Sequence, residues 1–156
     1  MAILMPALGR AREQARTVVE LNNVKQLCLA MNMYCDENDD RFPAAEDWPD
    51  ALAPYLGHRE KVLTSPFDCS GGRAFAMNAQ LNERRIRKIE QPHRTVLIFE
   101  ARFGSPPAGG RELLPRRPRG RRGYVIGFVD GHVEVVRPGR IHQLIWNPST
   151  QPFETY

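Results

Sequence analysis

The sequence predicts an α+β fold in which a long N-terminal α-helix packs on a small antiparallel β-sheet. Three observations carry this. A helical apolar pattern runs without Gly or Pro from Arg10 to Arg41. An apolar, β-prone run, Thr95–Glu100, is bounded by polar residues on both sides. Two further β-prone runs flank Asp130-Gly131, a strong two-residue turn signal.

The helix is the most informative element. Ile3-Leu4-Met5 meets Pro6, and the pattern then continues to about Tyr34 before an acidic turn and Phe42-Pro43. Leu4, Leu8, Ala11, Ala15, Val18, Leu21, Val24, Cys28, Met31 and Cys35 recur at steps of three or four, which predicts one apolar face. Arg10, Arg12, Glu13, Arg16, Glu20, Asn23 and Lys25 are expected on the wetter side. A helix of roughly 30 residues spans about 45 Å, longer than a globular domain ordinarily holds, so part of it is expected to project. Because the stripe reaches the N-terminal end, the helix reads as the lower part of a longer one. The abrupt apolar start suggests a truncated chain or a missed start codon.

The remaining elements follow in order. Residues 36–50 read as helix stop and loop, and Asp50–Gly57 as a short helical turn closed by Gly57. Residues 64–73 read as loop, Ala74–Asn78 as a short strand, and Ile86–Ile89 as another. Residues 103–123 are Gly/Pro/Arg-rich without periodicity, and read as a long unstructured loop. The hairpin Tyr124–Val136 follows, then a tail carrying Trp146, Phe153 and Tyr156. The chain therefore divides into a spine helix, residues 1–35, and an α+β head, residues 36–156, that includes the hairpin 124–136.

Composition sets the outer limits. The chain has 156 residues, 42% apolar and 26% charged, enough for one domain with a core. No run of 18 apolar residues is present to span a membrane. Net charge is +4, and the basic residues are nineteen arginines against Lys25, Lys61 and Lys88, a skew that fits a GC-rich genome. The excess is local to residues 111–122. There Arg116, Arg117, Arg119, Arg121 and Arg122 could hold phosphates or an acidic partner, giving a nucleic-acid-binding alternative. No aromatic residue is interleaved from 104 to 123, so base stacking has no support.

Other candidate sites read as structure. Asp36, Asn38 and Asp40 alternate as in a calcium loop, but Arg41 stands where Gly is needed and Asp47 where Glu is needed, so the spacing does not support calcium. Asp130-Gly131-His132 fits a turn better than a catalytic group. His58, His93 and His142 have no adjacent ligand partner, and neither Ser65 nor Ser70 lies in a nucleophile-elbow pattern. No metal or other cofactor is predicted. Cys28 and Cys35 are two helical turns apart, about 10 Å, too far to bond each other. Cys69 could pair with either.

Taken together, the motifs resemble type IV pilin-like proteins with a prepilin-type N-terminus, in particular the large pseudopilin-like group abundant in planctomycetes. The residues that carry this are Leu4-Met5-Pro6-Ala7-Leu8 passing into Ala11-Arg12-Glu13, Asn23-Val24-Lys25-Gln26, Tyr34 leading into Phe42-Pro43, and Phe128-Val129-Asp130-Gly131-His132-Val133. They keep their order over nearly the whole chain. Three departures stand out. The prepilin peptidase site, methylated Phe and Glu of the group would lie upstream of Ala2. Glu20 and Ser65 stand where the group often has the cysteines of a Cys-x-x-Asn and a Cys-Pro segment, which implies a lost disulfide that Cys69 with Cys28 or Cys35 would replace. Gly120 stands where the group has His.

The resemblance implies a non-enzymatic structural subunit of a type II secretion or type IV pilus-like machine. Its helix would anchor in the inner membrane and polymerise through Leu4, Pro6, Leu8, Ala11, Ala15 and Val18, with the head in the periplasm. Its partners would be other pseudopilin subunits and secretion-machine components. Such head-to-tail assembly gives a filament rather than a closed ring. Pro6 would mark the point where the helix kinks or melts, since proline removes a helix hydrogen bond.

Overall fold

The computed structural model describes residues 4–57, 59–68, 70–120 and 122–149, with Leu4 and Met5 described by backbone alone. Helix α1, Leu4–Glu37, contains 34 residues and extends about 51 Å. It ends where the Asp40 amide donates to the Cys35 carbonyl and Asp39 and Asp40 take positive φ. Asn38 Nδ2 donates to the Tyr34 carbonyl, satisfying one of the acceptors left over at the helix end. A short helix α2, Trp48–Leu52, runs into a 3₁₀ turn, Ala53–Leu56, which Gly57 closes at φ 59°.

Five strands form one sheet in the order β3-β1-β2-β4-β5. They are β1 Phe75–Asn78, β2 Val96–Glu100, β3 Ala108–Gly109, β4 Tyr124–Phe128 and β5 Val133–Val136. All neighbours are antiparallel except β3, which lies parallel to β1. The sheet is thus mixed rather than purely antiparallel. Ile86–Lys88, expected as strand, is a 3₁₀ turn. Both edges of β1 are already taken by β2 and β3, and the Ile86 amide donates to the Asp40 carbonyl at the helix end.

Both faces of the sheet are covered. The lower part of α1 lays Val24, Leu27, Cys28 and Met31 against Met77, Leu97, Ile98 and Val125. Approach is closest at Gly127, where an added Cβ would lie 2.5 Å from Cys28 Sγ and 2.8 Å from Val24 Cγ1. The opposite face holds Val96, Phe99, Ile126 and Phe128 under Leu113, Ile141 and Trp146. Trp146 meets Phe99 edge-on at 5.0 Å. A register shift between Val96 and Ile98 lets Leu97 and Ile98 both reach the helix-side core. Phe153 and Tyr156 lie outside the described residues.

Of the segment 103–123, residues 103–120 form a strap rather than a free loop. It contributes β3, a 3₁₀ turn at Arg111–Leu113, and the buried Leu113. Its early part is fixed by Trp48, whose Nε1 donates to the Pro107 carbonyl at 2.6 Å. The β4–β5 hairpin turns through three residues, Val129-Asp130-Gly131, instead of two. The Gly131 amide donates to Phe128, the Phe128 amide donates to His132, and Gly131 sits at φ 86°. Val129 is held back from the turn tip because its amide donates to the Thr95 carbonyl.

Candidate functional site

The apolar stripe read from sequence does not stay on one face. Its nine steps cover 31 residues (4 to 35), about 3.4 per step, so it winds round a helix of 3.6 residues per turn. Val24, Cys28, Met31 and Cys35 face the core, whereas Leu8, Ala11, Ala15 and Val18 are exposed on the far side. Pro6 is also exposed, within the first described turn, and Leu4 has no described side chain.

A second, straighter seam replaces the expected one. Leu8, Ala11, Ala15, Val18, Asn22, Gln26, Leu29 and Met33 take seven steps over 25 residues (8 to 33), about 3.6 per step, and so share one face. Every member is exposed and none is charged. Its large apolar members, Leu8, Val18, Leu29 and Met33, are 44–59% exposed. A helix normally keeps such residues on the covered face. Among the described residues the sheet and strap occupy the opposite face, leaving this seam uncovered along the whole helix.

The arginine-rich segment splits. Arg116, Arg117 and Arg122 are exposed, and Arg121 lies outside the described residues. Arg119 is turned inward, with a side chain only 7% exposed, which corrects its expected place in a solvated cluster. Its Nη1 donates to Glu20 Oε1 at 3.0 Å, its Nη2 to the carbonyls of Ala74 (2.9 Å) and Ala101, and its backbone N–H to Glu100 Oε1 at 2.9 Å. The guanidinium lies 4.3 Å from the Phe103 ring centroid and 5.9 Å from that of Phe75. Glu20, expected on the wet side, is fully buried.

The two positions where the resemblance expects cysteines are in contact: the Ser65 hydroxyl donates to Glu20 Oε1. Ser65 Oγ in turn accepts from the Phe67 amide at 3.1 Å. Cys28 and Cys35 are both buried free thiols, so the replacement pairing with Cys69 is not made; Cys69 itself lies outside the described residues. Burial pushes both thiols up to about 12. Gly120, where the resemblance expects His, packs so close to α1 that a Cβ would stand 2.8 Å from Thr17 Oγ1.

Asp130 acts as a turn residue. Its Oδ1 accepts from the His132 amide at 3.0 Å and lies 2.5 Å from His132 Nδ1, bonds that hold its carboxyl below the usual range despite partial burial. His132 stacks on Phe128 at 4.2 Å. Lys25 Nζ donates to the Gly131 carbonyl at 2.6 Å, which ties the turn to α1. Of the alternating acidic residues, Asp40 pairs with Arg87 at 2.8 Å. Among the described residues, no three His, Cys, Asp or Glu side chains converge as metal ligands, and no helix is long and apolar enough to cross a membrane. His58 is not among the described residues.

No family model, curated protein or solved structure matches the chain.

Proposed function

We propose that this chain is a non-enzymatic, pilin-like structural subunit that polymerises head to tail through α1, in the manner of the pseudopilins it resembles. The observation that carries this reading is the uncharged seam from Leu8 to Met33, exposed on the helix face opposite the sheet. A monomeric helix gains nothing by keeping four large apolar side chains in water at helical spacing, whereas packing against a neighbouring helix would remove them from it. Anchorage in the inner membrane, a periplasmic head and secretion-machine partners belong to the same proposal. The nucleic-acid alternative loses Arg119 to the interior.

A photo-crosslinking amino acid at Leu29, introduced in the native host, tests the reading. A ladder of self-crosslinked multimers in the inner-membrane fraction is the expected result. Crosslinks to nucleic acid alone, or monomer alone, would count against it.

A further inference from the structure

Two buried carboxylates share one buried cation. Arg119 gives Glu20 Oε1 a direct bond at 3.0 Å, and the Ser65 hydroxyl adds a second. Glu100 receives less from the guanidinium: the Arg119 Nε stands 3.8 Å from its Oε1, and its hydrogen bonds come from the backbone amides of Arg119 (2.9 Å) and Val125 (3.3 Å). Glu20 and Glu100 are each fully buried. Glu20 Oε2 is buried with no hydrogen-bond donor, and two carboxylates on one guanidinium leave the cluster one positive charge short. Among the described residues, the other elements packed round it do not supply that charge. Asp68 acts on Arg119 from the loop before β1, Tyr124 acts on Glu100 from β4, and the exposed Arg111 acts on Tyr124.

We propose that this cluster is a binding site for one proton, held on Glu100, and that the proton locks the strap carrying Arg119 to both α1 and β2. With Glu100 neutral, Glu20 and Arg119 balance. With Glu100 ionised, an unpaired negative charge is left in the interior, where desolvation is costly. Burial pushes the Glu100 carboxyl up to about 7, from 4.5, against the opposing pull of Arg119. The folded chain therefore holds more protons than the unfolded one between those values. Stability from this group is full below pH 4.5 and is lost as pH rises through about 7.

Infrared titration of the whole chain reads the proton directly. A neutral carboxyl stretch should be present at pH 6, gone at pH 9, and missing at both in Glu100→Gln. The wild-type folding constant should fall roughly tenfold to a hundredfold more than that of Glu100→Gln between pH 5 and 8. If Glu100→Gln does not fold, Glu20→Gln decides. It leaves Arg119 to Glu100 alone, so the midpoint of the neutral band should drop by a unit or more. Absence of the band at pH 6 in the wild type, equal pH losses in wild type and Glu100→Gln, or an unmoved midpoint in Glu20→Gln would each overturn the site.

Discussion

Arg119 is the residue on which three elements meet, since its donors reach α1, β2 and the carbonyl of Ala74 just before β1. Replacing it with Met removes the cation and leaves two buried carboxylates, so Arg119→Met should cost about 3–5 kcal/mol in urea unfolding. Arg119→Lys should recover little, because a single ammonium cannot reproduce a fork that meets several acceptors at once. Gly127 makes the opposite kind of demand, for space. Gly127→Ala drives a methyl into Cys28 and Val24 and should lower stability by about 1–3 kcal/mol. Adding Cys28→Ala should return part of that loss, a coupling that a double-mutant cycle measures. Neither role was legible in the chain. Arg119 sits among other arginines with nothing local to mark it as the inward one, and Glu20 sits on a helix whose other charges are exposed or only half-buried.

At the scale of elements, the long helix, β1, β2 and the hairpin were legible because each has a continuous pattern and a clear stop. What failed was phase. Steps of three and four look alike in sequence, but a mean of 3.4 winds round the helix while a mean of 3.6 holds one face. The seam from Leu8 to Met33 was hidden by Asn22 and Gln26, which read as breaks in an apolar stripe although they complete an uncharged one. Leu29→Glu should change the unfolding free energy of the isolated chain by no more than about 0.5 kcal/mol, since the site is exposed, and abolish self-association. Loss of stability together with association would instead place Leu29 in the core. Ile86–Lys88 and the strap were misread for a different reason. Whether so short a segment pairs as a strand depends on which sheet edges are vacant, and only the tertiary structure assigns those.

At the scale of the whole molecule, the sheet is sealed on one side by α1 and on the other by the strap and the turn at Pro138–Gln143. Two sealed faces explain why β2 and β4 are buried at every position. They also explain why the Gly/Pro/Arg-rich segment is ordered: Leu113 and Trp48 anchor it at both ends of its early half. Neither Cys28 nor Cys35 is bonded, so dithiothreitol should leave the thermal midpoint unchanged. Iodoacetamide at pH 8 should modify these two thiols only after unfolding, as mass spectrometry would show.

The contact between Ser65 and Glu20 has a consequence for where this protein can fold. A disulfide at those two positions would tie the head to its helix only after an oxidase had acted, and would fail in a reducing compartment. A hydroxyl, two carboxylates and a guanidinium make the same connection with no enzyme and no electron acceptor. The connection is complete as soon as the chain closes, and it answers to acidity where a disulfide would answer to redox state.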